Sequence, residues 1–187
     1  MSQNARLEEI RWHGRGGQGA VLGASILGSA AALYEGKYAV SFPSFGAERR
    51  GAPVQAFTRI AGYVIRSRSQ IYHPTKIIVL DDTLLDVVNI TDGAKAGASI
   101  FINTRKPASE LSLPDYLNVI TLDASAIARD IIGVAIVNTT MLGALAGATT
   151  LVSLDSIKQA IAGALPKKIA ERNIAAAEAA YQKVKGK

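Results

Sequence analysis

The sequence predicts an α/β fold: a single three-layer α/β/α domain over residues 1–187, with a mixed, mostly parallel sheet and a glycine-rich first turn from strand to helix. Three observations predict it. An alternating apolar run, Leu7 to Trp12, enters His13-Gly14-Arg15-Gly16-Gly17-Gln18-Gly19, and a run of small and aliphatic residues, Ala20 to Tyr34, leaves it. Short apolar runs such as Ile77-Ile78-Val79-Leu80 read as buried strands. Longer amphipathic or alanine-rich stretches read as the helices around them.

Leu7–Trp12 is the first strand and Gly14–Gly19 the turn. Glycines there permit φ > 0 and close approach of another group, so a larger residue at Gly17 is expected to clash. Ala20–Tyr34 is a helix whose Ala, Gly and Ser content allows close packing on a sheet, and Gly36 stops it. Lys37–Ser41 is a short second strand. A long irregular segment, Phe42 to Pro53, follows, and loops of this length in a compact domain are usually functional. Val54–Ile60 and Tyr63–Ser69 around Ala61-Gly62 read as a hairpin, which makes the sheet mixed and puts Arg66 and Arg68 on one solvated face.

Lys76–Leu80 is a buried strand ending at Asp81-Asp82, and Leu84–Ile90 a short helix or turn. Ser99–Asn103 and Leu117–Leu122 are further strands. Ala124–Ile132 is a helix with Asp123 as N-cap. Asn138 caps a second small-residue helix through Met141–Ala148. Leu154–Ala164 is amphipathic, and Pro166 opens the last helix, Lys167–Val184.

Composition limits the function classes. The chain has no cysteine, which excludes disulfides, thiolate catalysis and iron–sulfur clusters ligated by this chain. Two histidines, His13 and His73, are too isolated to suggest a metal site. No stretch resembles a membrane span or a secretory signal, so the expected compartment is the cytoplasm. The net charge of +6 is spread along the chain without interleaved aromatics, which favours an anionic small molecule or an acidic protein over nucleic acid.

Gly14, Gly16 and Gly19 satisfy G-x-G-x-x-G, the dinucleotide fingerprint. A nicotinamide site also needs an acid at the end of the second strand, and that strand ends near Ser41-Phe42, with Glu35 too early. No Gly-Lys-Ser/Thr makes a P-loop. Asp81-Asp82 could hold Mg²⁺, but an N-cap with its neighbour is favoured. Glu48 with Arg49 and Arg50 is either an acid between anion clamps or an internal ion pair. Ser44 has no nearby histidine. His13 is more often a satisfied strand-end residue than a base. Nothing here makes a self-sufficient catalytic set, so the chain reads as one part of a larger site. The alternative is a stand-alone nucleotide- or phosphate-binding Rossmann-like domain.

Two motifs in order resemble those of the gamma subunit, or gamma domain, of 2-oxoacid:ferredoxin oxidoreductases: His13 to Gly19, and Phe42-Pro43-Ser44-Phe45-Gly46-Ala47-Glu48-Arg49-Arg50-Gly51-Ala52-Pro53-Val54. Arg59-Ile60, Asn138…Met141-Leu142-Gly143 and Asn173…Ala177 also fit, so the resemblance covers nearly the whole chain. It implies a subunit of an enzyme that oxidatively decarboxylates a 2-oxoacid to acyl-CoA and CO₂, passing electrons to ferredoxin or another acceptor. The complex is then expected to carry thiamine diphosphate, Mg²⁺ and [4Fe-4S] clusters on alpha, beta and delta-type partners, with coenzyme A as co-substrate. The resemblance implies that this chain itself supplies no catalytic residue and no metal ligand. The role it implies is mainly assembly and shaping access, the coenzyme A side being one place for it, with Gly16, Gly17, Gln18, Gly19, Arg49 and Arg50 expected to meet either a phosphate or a neighbouring subunit.

Overall fold

A computed structural model describes residues 6–44 and 49–185. One six-stranded sheet runs in the order β2-β3-β1-β4-β5-β6. The strands are β1 (Glu8–Arg15), β2 (Tyr38–Pro43), β3 (Pro53–Ala61), β4 (Lys76–Val79), β5 (Ser99–Asn103) and β6 (Asn118–Leu122). β1, β4, β5 and β6 pair in parallel, and β3 is antiparallel to both β1 and β2. The mixed, mostly parallel sheet is therefore the expected one.

Alternation along the strands builds two cores. Ile10, Trp12, Ile60, Ile78, Leu80 and Phe101 face the layer of α1 (Ala20–Tyr34), α2 (Ala124–Ile131), α3 (Asn138–Ala148), α4 (Leu154–Ala164) and α5 (Lys167–Val184). Ile77, Val79, Ile100 and Ile102 face the other way, with Leu84 of a 3₁₀ helix, Asp82–Asp86, and with Ile90 and Leu117. The second outer layer is thus built from 3₁₀ turns and connecting segments, and the α-helices share the first.

Small residues bring α1 onto the sheet. A methyl group on Gly23 would lie 2.8 Å from the Trp12 ring, and one on Gly28 would strike Ser41 Oγ. Ser41 Oγ and Thr58 Oγ1 both donate to the Ala24 carbonyl, at 2.8 and 3.1 Å, and Trp12 Nε1 donates to Thr58 Oγ1. Gly36 has φ +62 just past α1, as expected of a helix stop. α3 and α5 pack closely in the same way: a methyl on Gly143 would collide with the Ala177 carbonyl. Thr139 Oγ1 donates to Asn173 Oδ1 at 2.7 Å beside that contact.

Three expectations need correction. Tyr63–Ser69 is not a strand. β3 lies between β2 and β1 and has no free edge for a third partner. The segment instead crosses the sheet, held by the buried Arg59, which donates to the Ser69 carbonyl at 2.6 Å and to Glu9 Oε1 at 2.8 Å. Arg66 and Arg68 are exposed on this connection, not on a sheet face. The first strand also runs past Trp12 to Arg15, because β3 pairs with it as far as Arg15↔Pro53. His13 and Gly14 are strand residues and the turn begins at Gly16. Lastly, Asn138 is the first residue of α3, with Val137 at the cap. The caps expected of Asp123 and Asp81 are present: Asp123 Oδ1 accepts from Ala126 N and Asp81 Oδ1 from Thr83 N.

Candidate functional site: the glycine turn and its arginines

β1 and β4 run in parallel, so the turn after β1 and Asp81 after β4 meet at the same end of the sheet. Gly17 and Gly19 hold φ +94 and +79, a conformation glycine adopts without strain. Gln18 Oε1 accepts from Arg15 N at 2.7 Å, closing the turn on itself. Gln18 Nε2 and Arg15 Nε both donate to Asp81 Oδ2, at 2.8 and 3.2 Å. Arg15 also donates from Nη2 to Thr83 Oγ1 and from Nη1 to the Gly51 carbonyl. Burial alone would raise the Asp81 pKa. Hydrogen bonds from Thr83 and Gln18, with the charge of Arg15, outweigh it and hold the carboxyl below its ordinary range.

The second motif packs onto the first. Gly16 N donates to the Ala52 carbonyl at 2.9 Å, and Gly51 N returns a bond to the Gly16 carbonyl at 3.1 Å. Gly16 and Arg50 form a parallel bridge. A methyl on Gly16 would strike the Arg49 carbonyl, so its close approach is to this chain's own backbone. Among the described residues no atom lies within 4 Å of where a Cβ on Gly17 would stand. The expected clash for a larger residue there is not found; the constraint is its positive φ. Gly19 instead meets Asn138, whose Nδ2 donates to the Gly19 carbonyl at 3.1 Å. Residues 45–48, including Glu48, lie outside the described residues.

The structure thus brings Gly16, Gly17, Gln18, Gly19, Arg49 and Arg50 together, but divides their roles. Gly16 and Gln18 are engaged internally. Gly17, Arg49 and Arg50 are exposed. The first turn of α1 has no side-chain cap, so its leading N–H groups have no partner within the helix. From sequence, Arg15 and Asn138 are not expected in this corner, and Asp81 reads as a Mg²⁺ ligand or, by preference, an N-cap, not as the anchor of the turn.

Two other candidates take structural places. Arg11 Nε donates to His13 Nε2 at 3.1 Å, so the buried His13 serves as an acceptor. Burial, and then the Arg11 charge, lower its pKa to about 3. Glu35 accepts from Ser153 N and Ser156 Oγ at the far end of α1. The dinucleotide reading also loses its frame: β2 runs in the same direction as β1 and is reached through α1, but β3 lies between them, so the two strands are not neighbours as that fold requires. Among the described residues no group of three or more His, Asp or Glu is placed to hold a metal ion, and no helix is long and apolar enough to cross a membrane.

Residues 9–183 match the family of pyruvate ferredoxin/flavodoxin oxidoreductases. The chain belongs to this family. It is 51% identical over 176 residues to the pyruvate synthase subunit PorC of Methanocaldococcus jannaschii, covering 94% of this chain and 96% of that one. It is 49% identical over 180 residues to the common gamma subunit of the pyruvate/ketoisovalerate oxidoreductases of Thermococcus kodakarensis, with the same coverage. The crystal structure of the pyruvate oxidoreductase subunit PORC of Thermotoga maritima superposes with a TM-score of 0.81 at 35% identity, over 95% of this chain and 96% of that one. The same fold occurs in the 2-oxoglutarate:ferredoxin oxidoreductase of Magnetococcus marinus, with a TM-score of 0.74 at 17% identity, over 96% of this chain and 31% of that longer one.

Proposed function

We propose that this chain is the gamma subunit of a CoA-acylating 2-oxoacid:acceptor oxidoreductase of the cytoplasm, and folds as one gamma-type domain. The observation that carries this is the near full-length match to PorC and gamma subunits. The interlock of the two motifs through Gly16, Arg50, Gly51 and Ala52 supports it, since it makes one corner of both.

In the complete enzyme a 2-oxoacid and coenzyme A yield acyl-CoA and CO₂, and two electrons leave for ferredoxin or another acceptor. Thiamine diphosphate with Mg²⁺ supplies the carbanion chemistry and [4Fe-4S] clusters carry the electrons, on the alpha, beta and delta-type partners. This chain has no cysteine with which to ligate a cluster. Its own contribution is a rigid corner. The N–H groups leading α1 and the exposed Arg49 and Arg50 receive an anionic group, either carboxylates of a neighbouring subunit or the phosphates of coenzyme A. Subunit contact is the favoured use, because among the described residues the turn offers exposed arginines and backbone N–H groups. The Thermococcus relative is named as common to two oxidoreductases, which fits a subunit that does not choose the 2-oxoacid.

The test is reconstitution. The complex assembled with this chain should reduce an acceptor in the presence of a 2-oxoacid and coenzyme A, and the complex lacking it should not. Arg50→Ala should lower subunit occupancy or raise the KM for coenzyme A. Wild-type stoichiometry and kinetics for Arg50→Ala remove that role from the corner. Isolation of the native chain as a monomer free of such partners overturns the whole reading.

A further inference from the structure

Beside the glycine turn lies an open apolar groove of about 500 Å³. Its walls are Leu22 on the first turn of α1, Ile132, Val134 and Ile136 on and beside the α2–α3 connection, and Leu165 and Ile169 at the start of α5. Val134 is 51% exposed, Ile136 45% and Ile169 51%. Aliphatic residues this exposed and grouped mark a surface that something covers.

The chemistry of the groove narrows what that is. Its floor is Asn138, Thr139 and Asn173, and their polar atoms are already engaged. Asn138 donates to Gly19 O and accepts from Thr139 N. Thr139 Oγ1 donates to Asn173 Oδ1, and Asn173 Nδ2 donates to Ile169 O. A small-molecule site needs convergent free polar groups to orient its ligand, and these are not free. Among the described residues the charged ones lining the groove are Lys168 and Arg172, and no carboxylate lines it. A second copy of this chain, at net charge +6, would bring like charge to that rim. The groove is continuous with the proposed interface corner, because Asn138 both lines it and holds Gly19.

We infer that the groove is the seat of another subunit of the same complex, which inserts an apolar anchor flanked by carboxylates that pair with Lys168 and Arg172. This rests on the gamma-subunit reading. The surface adds an apolar contact to the polar one at Arg49 and Arg50, as protein interfaces combine a desolvated centre with a charged rim.

The experiment uses the full chain, tagged and expressed with its partners in its own cells. A photo-crosslinking amino acid replaces Ile136 or Ile169, and the linked peptide is identified by mass spectrometry. The inference expects a peptide from another subunit of the oxidoreductase that contains Asp or Glu beside an apolar residue. In parallel, Ile136→Asp and the pair Lys168→Glu/Arg172→Glu are compared with Val87→Asp, an exposed aliphatic on the opposite side of the sheet. The groove variants should keep the wild-type melting temperature as isolated chains, yet weaken assembly about tenfold or more. Val87→Asp should assemble as wild type does. If wild type assembles and the groove variants assemble equally well, the inference is overturned while the gamma-subunit reading stands. If wild type recovers no oxidoreductase subunit, the underlying reading fails. Crosslinks to a second copy of this chain, or protection of the groove by coenzyme A without partners, overturn the inference in favour of those occupants.

Discussion

Gln18 Nε2 donates to Asp81 Oδ2 at 2.8 Å, tying the glycine turn after β1 to the end of the adjacent parallel strand β4. Arg15 reaches the same oxygen, so one carboxylate holds two residues of the turn. Asp81→Ala leaves both donors without that partner. The site is partly exposed, so the cost should be about 1–2 kcal/mol, read as a lowered midpoint in urea unfolding. The contribution of the ionised carboxylate is present above the ordinary aspartate pKa, near 3.8, and fades as pH falls through its lower folded value. The difference in stability between wild type and Asp81→Ala should therefore shrink on acidification below about pH 4.

Three glycines of one motif should respond differently to alanine. Among the described residues nothing stands near a Cβ on Gly17, so Gly17→Ala meets the penalty of positive φ, roughly 1–2 kcal/mol. Gly16→Ala drives a methyl into the Arg49 carbonyl and must part the two motifs. Gly19→Ala combines positive φ with a methyl 2.5 Å from Asn138 Nδ2. Chemical denaturation should rank Gly17→Ala as the mildest of the three. Gly17→Ala as the worst would mean that the turn does not pack as described.

The strands β1 and β4 to β6 were legible as short apolar runs, and the helices α1, α4 and α5 as small-residue or amphipathic stretches bounded by Gly36 and Pro166. The partner of β3 was not. Tyr63-Val64-Ile65 has strand composition, yet pairing depends on which edges are free, and β2 and β1 occupy both edges of β3. The glycine motif announced a turn without dividing its glycines. Gly14 is paired in a strand, Gly16 is a close approach, and Gly17 and Gly19 supply positive φ. Asn138 and Asp81 join the site through contacts 119 and 63 residues apart in sequence, a separation that spacing within a motif does not reach.

His13 should give the folded state a pH dependence of its own. It is buried, accepts from Arg11 Nε, and titrates near 3, below its ordinary 6.5. The unfolded chain binds this proton first. Stability is therefore fully expressed above about pH 6.5 and falls as the pH is lowered towards the folded value, by up to about 1.4 kcal/mol per pH unit for one proton. His13→Gln keeps an acceptor for Arg11 and removes the titration. Its unfolding free energy, measured from pH 7 to 5, should show a shallower slope than wild type. Equal slopes would place the titrating group elsewhere.

Gly143 and Gly163 set two opposed effects of the same substitution side by side. Alanine in place of a helical glycine stabilises by about 0.5–1 kcal/mol through lower unfolded-state entropy and better helix propensity. At Gly163 of α4 the added methyl meets only Tyr34 Oη, at 3.9 Å, so that gain should be realised. At Gly143 of α3 it meets the Ala177 carbonyl of α5, and backbone cannot swing aside as a side chain does. Forcing α3 from α5 costs about 1–3 kcal/mol by overpacking, which exceeds the propensity gain. It also strains the Thr139–Asn173 bond that floors the neighbouring groove. Gly163→Ala should raise the melting temperature and Gly143→Ala should lower it. A rise for both would show that α3 and α5 have room between them, and that the small residues Gly143 and Ala177 do not set their separation.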